Sequence, residues 1–268
     1  MADRPERPEA SADPYKVRGA ELVSGTNGGR AARTIACSDM DPERLIYPLM
    51  KHVVMGPAMR LAFLPSVHGL RHVPRIGPVI LAANHLAFLD SFLLPLMVPR
   101  RVHFLGKHEY FTGAGLRGRV TATFFRSVGA IAVDRSGGRA ALDALDTSAA
   151  VLEGGGVFAI HPEGTRSPDG RLYRGRTGVA RLAMQTGAPV VPVAIEGTDR
   201  VQPRGQAVPR PGRVGLRIGA PMDFRDRDKG VPRGRAARQV TDEIMEAIQR
   251  LSGQEYVDDY APRPAEPQ

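Results

Sequence analysis

The chain has 268 residues, of which 42% are hydrophobic and 24% are charged, values that are ordinary for a globular protein and allow one large domain or two small ones. Its formal net charge of +9 comes mostly from arginine, since only four of its 37 basic residues are lysines. Arginine binds phosphate groups in bidentate fashion, so this charge favours phosphorylated substrates, an anionic membrane surface or a nucleic acid as partners. A single cysteine, Cys37, excludes an intrachain disulfide framework and a cysteine-based zinc site.

Both ends of the chain are predicted to lack regular structure. Residues 1–40 are rich in Pro, Gly, Ala and charge without a sustained hydrophobic period, and residues 253–268 are acidic and proline-rich. The N-terminal residues contain no apolar stretch of the kind that a signal peptide requires, so a cytoplasmic setting is expected. The folded domain is therefore expected to cover residues 41–252.

Residues 41–66 are predicted to be helical, because Asp41-Pro42 is a typical helix start and apolar residues then recur on one face. Two prolines break or bend this segment. Lys51 and Arg60 stand among the apolar residues, a pattern that suits a helix lying in the membrane interface with its cations at the headgroups. A helix packed on the protein core fits the same pattern, so both interpretations stay open.

The longest apolar stretch covers residues 76–99 and is the best candidate for a membrane span. It contains His85 and Asp90 near its middle and a proline in each half. An ionised aspartate near the bilayer centre is costly, and the prolines divide the stretch into two elements. We therefore expect a buried strand at 78–83, a turn, and a second apolar element at 91–98 instead of a membrane span.

Further along the chain, short apolar runs alternate with segments of helical period. Strands are predicted at 101–105, 127–133, 157–160, 190–195 and 214–218, and helices at 138–153, 177–186 and 235–251, while 107–118 is polar and broken by glycines. This alternation predicts an α/β fold with a largely parallel central sheet flanked by helices. Ligands of such sheets gather at the carboxyl ends of the strands, which is where three polar clusters of this sequence fall.

The first polar cluster joins the strand at 78–83 to the apolar run that follows it. A histidine takes up a proton near neutral pH, and a carboxylate beside it orients and stabilises its charged form. His85 and Asp90 would lie on different faces of a continuous helix, but they can meet if His85 sits in the turn and Asp90 in the first helical turn. There the helix dipole also favours the carboxylate. The plain alternative is a core histidine followed by a helix-capping aspartate.

The other two clusters supply cations. The segment Glu163-Gly164-Thr165-Arg166 follows a strand and offers backbone amides, a hydroxyl and a guanidinium, which suit a phosphate group. Its glutamate can bind a substrate hydroxyl or hold an arginine in place. Arg135 follows the strand at 127–133. An ordinary turn with an exposed salt bridge, and a surface arginine at a strand end, are the corresponding alternatives.

Four segments taken together resemble the glycerophospholipid acyltransferase family, which includes the 1-acyl-glycerol-3-phosphate acyltransferases. They follow the family order across residues 76–196, and the first and third are specific in combination. The segments are Asn84-His85-Leu86-Ala87-Phe88-Leu89-Asp90 for the Asn-His-x4-Asp block, Gly129–Arg135 for the second block, Pro162–Ser167 for Pro-Glu-Gly-Thr-Arg-Ser, and Val191-Pro192-Val193 for the fourth. The sequence departs from the family pattern at His161, where the family more often has Phe.

The resemblance implies that His85 is a general base on the acceptor hydroxyl and that Asp90 orients and stabilises its imidazole. The hydroxyl would attack the thioester of acyl-CoA or acyl-carrier protein directly, so neither a cofactor nor a metal is implied beyond that co-substrate. The residues that the resemblance assigns to the glycerol phosphate are Arg135, Glu163, Gly164, Thr165 and Arg166, with Lys107 as an addition.

The implied activity is the acylation of lysophosphatidic acid to phosphatidic acid at the cytoplasmic face of a membrane, with an anionic membrane surface as partner. The resemblance also favours the membrane-interface interpretation of residues 41–66. Glycerol 3-phosphate or another lysolipid as the acceptor stays open, as does a non-catalytic basic module that binds an anionic membrane or nucleic acid. Nucleic acid is not expected, because the chain has no tryptophan and no aromatic-rich strand motif.

Overall fold

The computed structural model describes residues 48–133 and 140–262 of the chain. Its strands are β1 Ser66–His68, β2 Val79–Ala83, β3 Val102–Lys107, β4 Ala130–Val133, β5 Val157–Ile160, β6 Leu172–Tyr173, β7 Val190–Glu196, β8 Gly215–Ile218 and β9 Tyr256–Val257. Its α-helices are α1 Gly56–Phe63, α2 Asp90–Met97, α3 Gly115–Ser127, α4 Ala140–Glu153, α5 Gly178–Thr186, α6 Thr198–Val201 and α7 Arg233–Ser252. A π-helical turn, Met50–Met55, precedes α1, and 3-10 turns lie at Leu70–His72 and His108–Tyr110.

Seven of the strands form one sheet in the order β1-β8-β7-β2-β5-β3-β4. The strands β7, β2, β5, β3 and β4 run parallel to one another, with Leu81 opposite Val191 on one side and Ala159 on the other. Strand β8 is antiparallel to β7, and β1 is parallel to β8. The carboxyl ends of the parallel strands from β7 to β4 therefore share one edge of the sheet, where the polar clusters were expected.

Helices cover the sheet because its central strands are apolar on both faces. Along β2, Val79, Leu81 and Ala83 belong to one core, while Ile80 and Ala82 belong to another. The first core also contains residues of α1, α2 and α3, and the second contains residues of α4, α5 and α7. Side chains of a strand alternate between its faces, so a strand without polar residues needs cover on both sides. The predicted α/β fold with a largely parallel sheet flanked by helices is thus confirmed.

Two stretches differ from the sequence-based expectations. The polar, glycine-broken region that begins at residue 107 ends in a regular helix, α3, for which no helical period was recognised. The unstructured end predicted from residue 253 onward is wrong for 253–262, because β9 pairs with β6. Beside this pair, the Leu172 N–H donates to the Glu255 carbonyl at 2.9 Å. A two-residue strand is too short to show a period, so neither β6 nor β9 was predicted.

Residues 76–99 fold as the predicted strand, turn and helix. β2 ends at Ala83 and α2 begins at Asp90. Across the described parts of the chain, no helix combines the length and the apolar character that crossing a bilayer demands.

The described part of the N-terminal element packs on the core through one face and exposes the other. Met59 and Phe63 of α1 are buried in the first core, whereas Leu61 and Leu64 are 82% and 60% exposed. Core packing is therefore confirmed for one face, and the membrane-interface role of the other stays a prediction. The predictions for residues 1–47 lie outside the described residues.

Candidate active site

The turn between β2 and α2 brings a histidine and an aspartate into contact. His85 lies in the turn, Asp90 is the first residue of α2, and His85 Nδ1 lies 2.9 Å from Asp90 Oδ2. The same carboxylate oxygen accepts the backbone N–H groups of Leu86 at 2.6 Å and Ala87 at 2.9 Å. The two side chains therefore meet in the turn-then-helix geometry that their spacing requires.

The surroundings of Asp90 keep its carboxyl ionised. The side chain is fully buried, and burial by itself favours the protonated form. The hydrogen bond from His85 and the charge of its imidazole outweigh that burial and hold the pKa of Asp90 below its usual range. An ionised carboxylate accepts a hydrogen bond, so His85 carries its proton on Nδ1, and Nε2 is the nitrogen that can take another. The His85 side chain is 16% exposed, which leaves the ring accessible from the surface.

Asn84 continues the sheet beyond the end of β2. Its Oδ1 accepts the N–H of Ile195 at 2.7 Å, and its Nδ2 donates to the Ile195 carbonyl at 3.0 Å. The same Nδ2 donates to Gln254 Oε1 at 2.8 Å, and Gln254 Nε2 donates to the Gly170 carbonyl at 2.6 Å. The Asn84 amide thus takes the place of a backbone partner for β7 and fixes the residue before His85. Sequence reasoning assigned no role to this side chain.

Glu163 fixes the backbone of the site. It is 1% exposed, its Oε2 accepts the His85 N–H at 2.9 Å, and its Oε1 accepts the Tyr173 N–H at 3.0 Å. Burial raises the pKa of its carboxyl to about 7, although the two amide hydrogen bonds act in the opposite direction. The expected alternatives were a contact with a substrate hydroxyl or with an arginine. Since backbone amides engage both oxygens, the geometry favours a positioning role for Glu163 instead.

The loop 163–167 is joined to the turn that carries the histidine. The His85 N–H donates to Glu163, and the Ser167 N–H donates to the His85 carbonyl at 2.7 Å. Gly164 adopts a φ of +76°, and its N–H donates to the His161 carbonyl at 3.0 Å. A left-handed backbone of this kind favours glycine, which explains the glycine in this tight turn.

The predicted phosphate-binding residues lie at one sheet edge as far as the structure describes them. Thr165 and Arg166 are half-buried in the 163–167 loop, and within residues 48–133 and 140–262 no ion pair engages the Arg166 guanidinium. Lys107 is the last residue of β3 and is in register with Val133, the last residue of β4. Arg135 lies outside the described residues, two positions after β4. Lys107 therefore lies at the sheet edge where β2 and β5 end, as does the 163–167 loop that follows β5.

His161 lies flat against the histidine of the pair. The two rings are stacked, with centroids 4.0 Å apart and planes 10° apart. His161 Nδ1 lies 3.0 Å from the carbonyl oxygens of both Ala83 and Asn84, so this nitrogen is the donor. Burial, followed by the charge of His85, lowers the pKa of His161 to about 3. His161 is therefore a neutral ring that braces His85, which is a role that Phe at this position can also fill.

Several supporting residues come from distant parts of the chain, and sequence reasoning missed them. Tyr173 and Gln254 were described above, and Gln202 Oε1 accepts the N–H of Leu89 at 2.8 Å. Each of them is an ordinary polar residue near the end of a strand or helix, so no local signal distinguishes it. What they support is a base oriented by a carboxylate, next to a loop that offers a guanidinium. That arrangement can deprotonate a hydroxyl group of a molecule that also carries an anionic group.

Known acyltransferases are similar to this chain. A family model described as Acyltransferase matches residues 65–196. The chain is 30% identical over 141 residues to the 1-acyl-sn-glycerol-3-phosphate acyltransferase BAT2 of Brassica napus, covering 52% of this chain and 39% of that protein. It is 27% identical over 161 residues to the mouse 1-acyl-sn-glycerol-3-phosphate acyltransferase alpha, covering 59% of this chain and 54% of that protein.

A solved structure is also similar. It is the crystal structure of the 1-acyl-sn-glycerophosphate acyltransferase PlsC from Thermotoga maritima, with a TM-score of 0.59 and 27% sequence identity. The match covers 80% of this chain and 84% of that chain. By contrast, the chain spans about two fifths of the length of the plant relative named above.

Replacing Glu163 by Gln removes a titrating group while keeping its size. The pKa of Glu163 rises in the folded protein from 4.5 to about 7, so the folded form keeps a proton that the unfolded chain releases in that range. Stability that depends on this proton is full below about pH 4.5 and is lost as the pH rises through 7. We expect the free energy of unfolding of the wild type to fall by about 2 to 3 kcal/mol more than that of Glu163→Gln between about pH 5 and pH 8.

Urea denaturation at each pH measures this difference. Glu153→Gln, at an exposed position on α4, is the matched control and is expected to follow the wild type. Parallel pH dependences for Glu163→Gln and the wild type would contradict a buried, titrating carboxyl at this position.

Proposed function

Because this chain belongs to the glycerophospholipid acyltransferase family, we propose that it transfers a fatty acyl group from acyl-CoA or acyl-carrier protein to the free hydroxyl of 1-acyl-glycerol-3-phosphate, giving phosphatidic acid. The observation that carries the proposal is the 2.9 Å contact between His85 Nδ1 and Asp90 Oδ2, on a backbone shared with the loop that holds Arg166. The names of the relatives, all 1-acyl-sn-glycerol-3-phosphate acyltransferases, support the same acceptor.

The reaction proceeds by direct transfer. His85 Nε2 takes the proton of the acceptor hydroxyl while the hydroxyl oxygen forms a bond to the carbonyl carbon of the thioester. Asp90 stabilises the imidazolium that results and keeps the ring oriented. The tetrahedral intermediate then breaks its carbon–sulfur bond, and the imidazolium gives the proton to the departing thiolate. The products are the ester and a free thiol, and no acyl-enzyme or cofactor takes part.

The anionic end of the acceptor binds at the cationic edge. Arg166 lies in the loop bonded to His85, Lys107 is the last residue of the parallel strand β3, and Arg135 comes two positions after β4 in the sequence. Guanidinium groups bind phosphate through paired hydrogen bonds, and Thr165 adds a hydroxyl. The Gly164 N–H already donates to the His161 carbonyl, so Gly164 contributes by shaping the turn. Glu163 acts in this scheme by holding the two loops together.

The enzyme works at the cytoplasmic face of a membrane as a peripheral or monotopic protein. Its acceptor is a lipid, and α1 exposes Leu61 while burying its opposite face in the core. Leu49 and Val53, which precede α1, are 53% and 64% exposed. Arg60 is also exposed and supplies a cation for lipid headgroups.

Replacing His85 by Ala removes the general base. We expect thiol release from acyl-CoA in the presence of lysophosphatidic acid to fall by about 100-fold or more, with an unchanged circular dichroism spectrum. His68→Ala is the matched control and should keep wild-type turnover. His68 is exposed at the end of β1, which runs opposite to β2 and β7, so it does not lie at the edge that carries His85. Full turnover in His85→Ala would remove His85 as the base.

A panel of acceptors assayed with the same wild-type protein tests the substrate. Acylation of glycerol 3-phosphate or another lysolipid in place of lysophosphatidic acid would identify a different acceptor. The proposed acyl-transfer chemistry would still hold. Absence of thioester turnover with every donor and acceptor, together with binding that falls steeply with salt, would support a non-catalytic basic module instead.

Replacing Arg166 by Ala removes a contact to the phosphate of the acceptor lipid. Binding of the acyl donor does not depend on this contact. We expect the apparent KM for the acceptor to rise by about tenfold or more while kcat changes less, since the lost interaction is present before the transition state. Arg181→Ala, at an exposed position on α5, should leave both constants unchanged. An unaltered acceptor KM in Arg166→Ala would show that this guanidinium does not bind the phosphate.

Replacing Leu61 by Asp puts a charge on the exposed face of α1. Burial of a leucine side chain contributes about 1.5 to 3 kcal/mol, so we expect binding to vesicles of anionic phospholipid to weaken by about tenfold or more in sedimentation assays. Leu142→Asp makes the same change on α4, where Leu142 is 57% exposed, and should have little effect. Equal weakening by both variants would mean that net charge, and not insertion of α1, controls binding.

A further inference from the structure

The turn that follows β7 is built against the catalytic turn. β7 neighbours β2 in the sheet, so the end of β7 lies beside the residues that follow β2. Gly197 turns the chain with a φ of +78°, and a Cβ atom on it would lie 2.6 Å from the Arg213 carbonyl oxygen. This position therefore requires glycine, and the turn 197–202 is held in one conformation.

Gln202 fastens this turn to the start of α2. Its side chain is 5% exposed, its Oε1 accepts the Leu89 N–H at 2.8 Å, and its Nε2 donates to the Ala207 carbonyl at 3.1 Å. Leu89 directly precedes Asp90, so the contact fixes the turn 197–202 next to the catalytic carboxylate.

Thr198 lies on the fixed turn with its hydroxyl beside that carboxylate. It is fully buried, and its side chain interacts with the carboxyl group of Asp90. Asp90 Oδ2 has three donors, whereas Asp90 Oδ1 and Thr198 Oγ1 are both buried without a well-formed hydrogen bond to any described residue. A buried acceptor and a buried hydroxyl that lie together are complementary, because leaving either one unpaired is costly.

We propose that Thr198 is a positioning residue of the catalytic pair, whose hydroxyl donates to Asp90 Oδ1 and stabilises the ionised carboxylate that supports His85. This role rests on the proposed acyl transfer, in which the carboxylate holds the base. Thr198 touches neither substrate nor base and acts through Asp90 alone. Its contribution is a fourth hydrogen bond, on the one carboxylate oxygen that the catalytic turn cannot reach with its own donors.

The pH dependence of the reaction reports this hydrogen bond. The titratable groups that act on Asp90 within the described structure are His85 from its own turn, and His161 and Glu163 from the segment after β5. A carboxylate that has lost a hydrogen-bond donor is more basic. Because Asp90 and His85 share a hydrogen bond and take up a proton as a pair, the pair then binds that proton more tightly. The acid limb of kcat/KM then moves to higher pH, whereas a purely structural change lowers kcat/KM equally at every pH.

The test compares Thr198→Val with Thr198→Ser in the full-length protein. Valine keeps the shape and removes the hydroxyl, while serine keeps the hydroxyl and removes the methyl group. We expect the acid limb of kcat/KM to move up by about 0.5 to 1 pH unit in Thr198→Val and to stay in place in Thr198→Ser. Thr198→Ala gives the same comparison if the valine variant does not fold, and circular dichroism establishes folding for each variant.

Two outcomes would overturn the proposal. In one, the pH profile of Thr198→Val superimposes on that of the wild type. In the other, Thr198→Ser shifts as far as Thr198→Val, which would assign the effect to the methyl group. Both outcomes leave the proposed function intact as long as the wild type turns over acyl-CoA and His85→Ala does not, so failure of the two proposals can be told apart.

Discussion

A buried carboxylate is the constraint on which the centre of this structure depends. An ionised aspartate removed from water costs several kcal/mol unless donors surround it. For Asp90 the donors come from the residues just before it, namely the His85 ring and the backbone N–H groups of Leu86 and Ala87. Its place at the start of α2 adds the favourable end of the helix dipole. To supply them, the chain has to fold back between β2 and α2. This fold-back sets the histidine at the carboxyl edge of the sheet.

Anchors from elsewhere keep the fold-back in place. Glu163 accepts the His85 N–H, and Ser167 donates to the His85 carbonyl, so the turn that carries His85 and the loop that carries Arg166 form one hydrogen-bonded unit. Asn84 is fixed to β7 through both backbone groups of Ile195. Because the two loops are tied together, the backbone of His85 keeps a fixed position relative to the loop that carries Arg166. In the proposed reaction, such a fixed arrangement would favour acceptors whose hydroxyl and anionic group are suitably spaced.

Sequence separation decides which of these features were predictable. His85 and Asp90 are five residues apart, and apolar runs on either side mark the strand, the turn and the helix that bring them together. Glu163 contacts His85 across a sequence separation of 78 residues, and Gln254 contacts Asn84 across 170. Hydrophobic periodicity is local and does not tell which residues so far apart in the sequence come into contact. The same reasoning explains why Glu163 was expected beside the ligand, although its carboxylate is occupied by backbone amides. Helix α3 went unrecognised because glycine and arginine obscure its apolar period.

The helix α2 is held at both ends, by the contacts of Asp90 at its start and by Lys51 just beyond its end. Because Lys51 belongs to the N-terminal element, this second contact connects that element with the site. Lys51 is buried and donates to the carbonyls of Val98 and Arg100, just beyond the end of α2. Burial, with a smaller effect of Arg60, lowers the pKa of Lys51 to about 8, but a cation at this end of a helix interacts favourably with the helix dipole, as Asp90 does at the other end. Helix α2 therefore connects the element that exposes an apolar face to Asp90, the residue that contacts His85. If that face lies on a lipid surface, as proposed, the base is held at a fixed height above the layer that contains the acceptor.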